Sequence, residues 1–518
     1  MATPSEKLAQ SLEALHMLQD RGMVAIRSGE LSRLHRERLL KGGFLQEVIK
    51  GWYIPSRPDE AAGESTAWYA SFWEFCAAYL NERFGAAWCL SPEQSLLLHA
   101  GNWTVPRQIL VRAQKARNNV TNFPHETSLL DIRAALPEAE DVAERNGLRL
   151  FSLPSALVAC PPGFYIRNPT DARAALSMVR DASDVLPRLL EGGHSTIAGR
   201  LSGAFRNIGR DRIADELINT MRAAGYDVRE NDPFKTHPPV ILSTRETSPY
   251  VNRVRLMWQE MRGPVREHFP EPPRVPGDMQ AVLKRIEEVY VTDAYHSLSI
   301  EGYRVNRDLI DRVRSGHWNP DVHEEDRNQR NALAARGYWQ AFQAVRNSVQ
   351  RVLLGENPGV VAEEDHRIWY REMFAPNVTA GVLRPADLAG YRNHPVYIRR
   401  SMHVPPNREA VRDLMPALFE LLREEPQASV RVVLGHFMFV YIHPYMDGNG
   451  RLGRFLMNVM LAAGGYPWIV VPVEERNEYL AALEAASVGR NIAPFTDFLA
   501  RLVKTGPKDE LMPEGNVG

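Results

Sequence analysis

The residues best suited to bind phosphate, hold a metal ion or move a proton lie within one short segment, 443–454, of this 518-residue chain. Asp447 offers a carboxylate, a hard oxygen ligand that suits an Mg²⁺ ion bridging two phosphates. Arg451 and Arg454 are three residues apart, so on a helix both guanidinium groups share one face and reach the outer phosphates of a nucleotide. His443 begins the segment, and a neutral imidazole there can accept a proton from an attacking hydroxyl. Together these side chains predict a phosphate-binding loop.

Two apolar stretches position this loop, because residues 432–442 before it and 452–463 after it both predict helices. Gly448 and Gly450 let backbone N–H groups approach an anion without interference from a Cβ atom. The N-terminus of the following helix adds its positive dipole end. An Asp-Gly-Asn-Gly sequence alone is typical of an ordinary surface turn, but the His and the two Arg in fixed register favour phosphate binding.

Residues 443–454 resemble the motif of the Fic (filamentation-induced by cAMP) family, His-x-Phe-x-Asp/Glu-Gly-Asn-Gly-Arg-x-x-Arg. Tyr445 stands where the motif usually has Phe, at a core-packing position. The resemblance extends over residues 277–502. Fic proteins move AMP from ATP to a Ser, Thr or Tyr hydroxyl of a protein and release pyrophosphate. The resemblance therefore implies a protein adenylyltransferase that uses ATP and Mg²⁺ and modifies a target protein or itself.

The same resemblance assigns a role to each residue of the motif. It implies that His443 is the general base, that Asp447 is the metal ligand, and that the remaining motif residues hold the nucleotide phosphates. Asn449 and the amides near it are expected at the α-phosphate, and the two arginines at the β- and γ-phosphates; the nucleotide-binding set is Gly448, Asn449, Gly450, Arg451 and Arg454. Family members that phosphorylate carry Lys in place of Gly450, so Gly450 favours AMP transfer.

Two further segments resemble parts of the Fic fold. Residues 390–392 and 396–404, followed by two prolines, resemble the flap, a β-hairpin that holds the target as an added strand. Residues 478–483, ahead of Pro494, resemble a closing helix beside the nucleotide base. The resemblance therefore implies that Tyr479 contributes to nucleotide binding.

The segment 297–302, Ser-Leu-Ser-Ile-Glu-Gly, resembles the family's inhibitory motif Ser/Thr-x-x-x-Glu-Gly/Asn. The resemblance implies an inhibitory helix that carries Ser297 and Glu301 and precedes the catalytic motif. A buried Glu301 carboxylate paired with Arg454 would occupy the guanidinium that the γ-phosphate needs. The alternative is an ordinary helix end, since Gly commonly follows the last helical residue.

The first sixty residues predict two helices, near 5–19 and 30–40, and strands at 23–26, 44–48 and 52–55. This pattern resembles the winged-helix start of bacterial abortive-infection antitoxin regulators. Basic side chains outnumber acidic ones between residues 21 and 41. The residues expected to contact DNA, if the second helix enters a major groove, are Arg33, Arg36 and Lys50. The alternative is a winged helix that docks to protein.

The expected fold is multidomain, with an all-α Fic core that carries a β-hairpin flap, preceded by a winged-helix module and a mixed α/β middle region. The expected boundaries are a winged helix-turn-helix at 1–60, a mixed α/β middle domain at 61–230, a helical linker at 231–276, a Fic domain with its inhibitory helix at 277–505 and a flexible tail at 506–518. Within the linker, residues 250–262 predict a helix that ends at Gly263-Pro264.

Composition limits the class of protein. Hydrophobic residues make up 44% and charged residues 24%, which indicates a folded chain, and a net charge of −1 permits only a local basic patch for DNA. Three cysteines are too few for a disulfide framework or a four-ligand zinc site and are expected in the core: Cys76, Cys89 and Cys160. No apolar run approaches the ~20 residues of a membrane span. We expect a cytoplasmic protein without a membrane partner, and its oligomeric state stays open.

Three functions remain open from the sequence. The leading one is an auto-inhibited protein adenylyltransferase. The second is a transcription regulator or antitoxin-like protein, in which the winged helix binds DNA and the Fic domain only senses nucleotide. The third is the reverse reaction, removal of AMP from protein, for which Glu301 would position a water molecule.

Overall fold

The computed structural model describes residues 3–58, 64–242, 246, 248–272, 278–317 and 329–506. They form two compact units, of which the first comprises Met1–Arg253 with Tyr397–Val404 and the second comprises Val254–Val396 with Pro405–Gly518. The predicted tail lies outside the described residues, except for Gly506. Every helix within the described ranges is too short or too polar to traverse a bilayer.

The first unit begins with the two helices and three strands predicted for its first sixty residues. They are α1 (Pro4–Asp20), β1 (Ile26–Arg27), α2 (Arg33–Lys41), β2 (Leu45–Ile49) and β3 (Trp52–Pro55). The helices begin where side-chain oxygens cap them, since Thr3 accepts from the backbone N–H of Glu6 and Ser32 from that of His35. The strands form an antiparallel sheet in the order β1-β3-β2.

The rest of the first unit mixes helices and strands, as predicted for the middle region. Its next elements are α3 (Thr66–Phe84), β4 (Trp88–Leu90), α4 (Pro92–His99), β5 (Gln108–Ala113), β6 (Val120–Asn122), β7 (Ser128–Arg133), β8 (Val142–Arg145) and β9 (Leu148–Phe151). One sheet has the order β4-β5-β7-β6, with β5 and β7 parallel, and β8 pairs with β9. Aromatic residues of α3 pack on the sheet in a continuous core. The three cysteines are free and buried, as predicted.

Six helices complete this region of the first unit: α5 (Leu153–Ala159), α6 (Pro162–Arg167), α7 (Pro169–Ser177), α8 (Leu186–Glu191), α9 (Ser195–Asn207) and α10 (Asp211–Ala223). The next helix, α11 (Pro249–His268), does not end at Gly263-Pro264 as predicted. Its buried positions continue at helical spacing through Met257, Met261 and Val265, so packing outweighs the backbone hydrogen bond that Pro264 cannot make.

The second unit is mainly helical and has no strand among its described residues, as the sequence predicts. It contains α12 (Met279–Ile300), α13 (Arg307–Arg314), α14 (Gln329–Leu353), α15 (Pro358–Thr379), α16 (Arg408–Glu424), α17 (Ala428–Ile442), α18 (Asn449–Ala463), α19 (Arg476–Ser487) and α20 (Ala493–Thr505). Helices α17 and α18 are buried along almost their whole length. A pair of buried helices therefore holds the loop between them.

The predicted β-hairpin flap at 396–404 is not formed, because these residues contain no strand. Tyr397–Val404 belongs to the first unit, although the chain on both sides of it belongs to the second. Met402 and Val404 pack against the core of the first unit. Contacts with residues distant in the chain thus replace the local pairing that a hairpin requires.

Candidate active site

The loop between α17 and α18 contains two residues in the left-handed backbone region. His443 follows α17 with φ 54° and ψ 61°, and Gly448 precedes α18 with φ 82°. A left-handed residue that is not Gly is uncommon and costs conformational energy, so its presence at His443 marks a position that the surrounding packing enforces. Burial acts most strongly on the His443 imidazole, and the charges of Arg392, Glu301 and Asp447 act on it to a smaller extent.

A hydrogen bond fixes the tautomer of His443, and burial fixes its charge. Its Nδ1 lies 3.1 Å from the backbone carbonyl of Val440, and a carbonyl only accepts, so Nδ1 carries the proton. Burial lowers the pKa of His443 to about 4, and the ring is therefore neutral near pH 7. The remaining nitrogen, Nε2, keeps its lone pair and can accept a proton.

Arg392 holds the backbone of the loop at His443. This arginine is buried, and its Nε donates to the carbonyl of His443 over 2.8 Å. Its own backbone N–H donates to the carbonyl of Pro444 over 2.9 Å, and its guanidinium also donates to the carbonyl of Pro406. The sequence placed Arg392 only in the flap region, whereas the structure shows that it binds the backbone carbonyls of His443 and Pro444.

Asp447 is the exposed acidic group of the loop. Its side chain is 62% exposed, Oδ1 accepts from the N–H of Gly448, and Oδ2 lies 3.3 Å from Arg451 Nη2. The described residues include no cluster of three or more His, Cys, Asp or Glu side chains that would hold a metal ion. A single accessible carboxylate fits Mg²⁺, which commonly takes its other ligands from substrate phosphates and water.

The side chain of Asn449 closes the loop by bonding to the backbone of Tyr445. Its Oδ1 accepts from the N–H of Tyr445 at 2.9 Å, and its Nδ2 donates to the carbonyl of the same residue at 2.8 Å. Each of these bonds uses one position of the amide, and the predicted contact of Asn449 with the α-phosphate stays a prediction.

Glu301 and Ser297, both on the last turns of α12, contact Arg454. The Arg454 Nη2 lies 2.9 Å from Glu301 Oε1 and 3.0 Å from the carbonyl of Ser297, while its Nε donates to Ser297 Oγ over 2.8 Å. Arg454 and Ser297 are buried. The Glu301 side chain is 31% exposed, so the expectation of a buried carboxylate is wrong: Glu301 caps the helix at the edge of the site.

The Glu301 carboxylate also lies directly against the first turn of α18. A Cβ atom added at Gly450 would collide with Glu301 Oε1 and would lie 3.3 Å from Arg454 Nη1. The carboxylate therefore takes the place where an anion meets the helix N-terminus and the guanidinium together. Gly450 gives the carboxylate this room.

Arg451 lies between two aromatic rings. Its guanidinium carbon is 5.2 Å from the ring centroid of Tyr303 and 5.2 Å from that of Phe374. The residue is 1% exposed. Tyr303 directly follows residues 297–302, so α12 and the residues after it contact both arginines. Sequence reasoning missed Tyr303, because its distance from Arg451 depends on tertiary packing.

A buried carboxylate lies two turns before Glu301 on α12. Asp293 is 3% exposed and accepts a hydrogen bond of 2.7 Å from the hydroxyl of Tyr338. Burial raises the pKa of Asp293 to about 6, although the Tyr338 hydrogen bond and the nearby charge of Arg454 act in the opposite direction. The hydrogen bond between Tyr338 and Asp293 therefore connects α14 to α12.

Tyr479 is 2% exposed and lies within the core behind Arg454. Its hydroxyl is 2.8 Å from Nε2 of His436, and its ring packs at a tilt against that of Phe495. The buried ring has no open face in this conformation, and contact with a nucleotide base stays a prediction.

Tyr445 is fully buried beneath the loop, as expected for a core-packing position. Its ring stacks on Tyr370 with centroids 3.9 Å apart and an interplanar angle of 10°. Among the described residues, no group hydrogen-bonds to the Tyr445 hydroxyl. The ring therefore packs as Phe would, with an added polar atom that nothing satisfies.

Replacing Tyr445 by Phe should stabilise the protein by about 1 kcal/mol, because the variant removes a buried hydroxyl that has no partner. Tyr338→Phe is the matched control. It removes a hydroxyl that donates to buried Asp293 and should destabilise by about 1–3 kcal/mol. Thermal unfolding measures both variants. A Tyr445→Phe variant that unfolds at a clearly lower temperature would show that the hydroxyl has a partner in solution.

The three residues expected to contact DNA differ in their surroundings. Arg33 is 83% exposed, and its Nε lies 2.7 Å from Glu37 on the same helix. Arg36 donates to the carbonyl of Ser28 over 2.7 Å, and Lys50 is exposed in the turn between β2 and β3. Arg33 thus contacts a carboxylate, whereas Arg36 contacts a backbone carbonyl.

Comparison with known proteins agrees with this geometry. The model of the Fic/DOC family matches residues 364–461. The chain is 26% identical over 253 residues to a protein adenylyltransferase Fic of Nematostella vectensis, over 48% of this chain and 55% of that one. It is 36% identical over 124 residues to a protein adenylyltransferase Fic of Drosophila yakuba, over 23% and 24% of the two chains. The chain thus spans about half the length of the first of these curated relatives and about a quarter of the second. A solved structure of C. elegans Fic-1 (aa134 - 508) aligns with 62% of this chain and 88% of its own, at 19% identity and a TM-score of 0.35.

Proposed function

We propose that the protein is an auto-inhibited adenylyltransferase, because residues 364–461 match the model of the Fic/DOC family. It transfers AMP from ATP to a Ser, Thr or Tyr hydroxyl of a protein and releases pyrophosphate. One observation carries the proposal: a neutral imidazole and two buried guanidinium groups flank the N-terminus of one helix, and a carboxylate of the same chain contacts one of those groups.

His443 moves the proton. The hydroxyl of the target gives its proton to Nε2 as its oxygen forms a bond to the α-phosphorus, and the bond from that phosphorus to pyrophosphate breaks. The Nδ1–H bond to Val440 keeps the ring in the tautomer that can accept. Arg392 fixes the carbonyl of His443, so the ring does not have to be ordered during the reaction.

The first turn of α18 and the two arginines bind the phosphates. The N–H groups at the helix start provide fixed donors, and Arg451 and Arg454 provide charge for the β- and γ-phosphates. Asp447 would hold Mg²⁺, which supplies charge neutralisation between phosphates when it is bound. Burial of both arginines strengthens these interactions, since water competes weakly there.

Glu301 inhibits by competition between anions. Its carboxylate binds Arg454 and fills the space above Gly450, so a γ-phosphate cannot take the same guanidinium at the same time. ATP that binds without this contact holds its α-phosphate out of line with the incoming hydroxyl. The inhibition ends when the Glu301 carboxylate moves away from Arg454.

The position of the label distinguishes the candidate reactions. The protein is incubated with Mg²⁺ and ATP labelled on either the α- or the γ-phosphate, and the radioactivity that remains on protein is measured. Adenylyl transfer leaves only the α-label on protein. Retention of the γ-label would indicate a phosphorylating enzyme. No label from either nucleotide, together with release of AMP from a modified acceptor, would favour the reverse reaction.

We further propose that residues 1–60 are a winged helix that binds DNA. The order of α1, β1, α2, β2 and β3, with three strands paired antiparallel, is consistent with that fold. Exposed Arg33 and Lys50 supply positive charge on α2 and on the turn after β2. Leu34, also on α2 and 62% exposed, is the feature that favours the alternative of docking to a protein.

Changing Arg33 and Arg36 to Ala together should weaken DNA binding and reduce its salt dependence, because each lost phosphate contact removes about one released counterion. Titration of duplex DNA at several salt concentrations measures this effect. Arg107→Ala, which removes a 74% exposed arginine of the middle region, is the matched control and should bind as the parent does. An intact protein that binds no DNA at low salt would favour docking to protein.

A further inference from the structure

The segment Tyr397–Val404 is held by contacts within the first unit, and Glu64 is the centre of those contacts. Glu64 is 4% exposed, an unusual position for a carboxylate. Its Oε2 lies 3.1 Å from Arg399 Nε and 3.2 Å from Arg400 Nε, and its Oε1 accepts from Thr66 Oγ1 at 2.9 Å. Two guanidinium groups and a hydroxyl thus stabilise the buried charge.

Backbone contacts hold the same segment. The N–H of Arg400 donates to Thr66 Oγ1 over 3.1 Å, and the N–H of Val105 donates to the carbonyl of Met402 over 2.9 Å. Within the segment, the N–H of Ser401 donates to the carbonyl of Ile398. Three backbone groups that an added strand could use, the N–H groups of Arg400 and Ser401 and the carbonyl of Met402, therefore already have partners.

Side chains in the second half of the segment are buried as well. Ser401 is 8% exposed and His403 is 3% exposed, while Met402 and Val404 pack on the hydrophobic core around α3. Arg400 adopts φ 60°, a left-handed conformation that a residue with a side chain takes only where contacts enforce it. The packing thus selects one specific conformation of the segment.

We propose that the first unit contains a docking site for Tyr397–Val404, anchored by Glu64. This segment must leave the docking site before a target protein can pair with the segment as an added strand. The consequence for target access rests on the function proposed above. β-strand addition needs an edge with free N–H and carbonyl groups, and in the docked segment the N–H of Arg400, the N–H of Ser401 and the carbonyl of Met402 are engaged. This control acts on the protein acceptor, whereas Glu301 acts on the nucleotide.

The first test needs no nucleotide. Trypsin cleaves after Arg399 and Arg400 only when the segment opens, and mass spectrometry quantifies these two cuts. Glu64→Gln removes the charge at nearly constant volume and should speed the cuts by about tenfold. Thr66→Val, which removes the acceptor for the N–H of Arg400, should act in the same direction and checks the result if Glu64→Gln folds poorly.

Glu126→Gln is the matched control, because Glu126 is 81% exposed and pairs with Arg107 on the surface of the same unit. It should be cut at the parent rate. Equal cutting of the parent, Glu64→Gln and Thr66→Val proteins would overturn the docking site.

The second test separates target access from docking. A Glu301→Gly enzyme, with or without Glu64→Gln, is given the His443→Ala protein as acceptor, and AMP on the acceptor is measured. We expect Glu64→Gln to raise the initial rate by severalfold, about three- to tenfold, as the docked fraction falls. Faster tryptic cutting with an unchanged rate of transfer would overturn the role in target access. AMP on no protein at all would contradict the proposed function, and the cutting test would still decide the docking site.

Discussion

A His443→Ala protein should lose AMP transfer by a factor of about 10²–10⁴, which is the usual contribution of a general base. Its affinity for ATP should stay close to that of the parent, because the imidazole acts on the incoming hydroxyl and its Nδ1 binds only the carbonyl of Val440. Transfer of α-labelled phosphate and equilibrium binding of ATP measure the two effects separately, in a Glu301→Gly background that raises the signal.

The pH profile provides a second check on His443. A pKa of about 4, lowered by burial, means that the ring is neutral and competent as a base from about pH 5 upward. The rate of transfer should fall only as pH decreases through about 4, with no step near the ordinary imidazole value of about 6.5. His394→Ala, which removes an exposed histidine, is the matched control and should leave transfer unchanged. Transfer by His443→Ala above a few per cent of the parent rate would refute the assignment.

A Glu301→Gly protein should transfer AMP about 10- to 100-fold faster than the parent, because a hydrogen bond between charged groups contributes about 1.5–3 kcal/mol. The substitution frees Arg454, which is buried and has no other carboxylate among its hydrogen-bond partners in the described residues. The γ-phosphate then takes the free guanidinium. Initial rates of self-adenylylation at saturating Mg²⁺ and ATP measure the gain.

Three companion variants make this test specific. Arg454→Ala added to Glu301→Gly should return transfer to background, because the freed group is itself required. Glu301→Gln should give a smaller gain, since an amide still hydrogen-bonds but carries no charge. Glu288→Gln, which changes an exposed carboxylate on the same helix, should have no effect. Equal rates of transfer by the parent and the Glu301→Gly protein would show that residues 297–302 are an ordinary helix end without an inhibitory role.

The catalytic loop was predictable because its chemistry is local in sequence. His443, Asp447 and the two arginines lie within twelve consecutive positions, and the apolar stretches on both sides predict the helices that present them. The pairing of Glu301 with Arg454 spans 153 residues and was accessible only through a motif. The charge of the pair was predicted, but the partial exposure of Glu301 was not.

Other features depend on contacts that no local pattern records. The side chain of Asn449 binds the backbone of Tyr445 at both ends, a contact that the sequence did not predict. The predicted flap hairpin is absent because Glu64 and Val105, far away in the sequence, hold residues 397–404. The helix α11 continued past Pro264 because tertiary packing exceeded the local preference for an end.

The intact mass of the Glu301→Gly protein after incubation with Mg²⁺ and ATP tests the central claim most directly. The mechanism predicts a mass increase by whole adenylyl groups on hydroxyl side chains, absent when His443 is also changed to Ala. An unmodified mass, or an increase by single phosphoryl groups, would contradict the proposal that this loop transfers AMP.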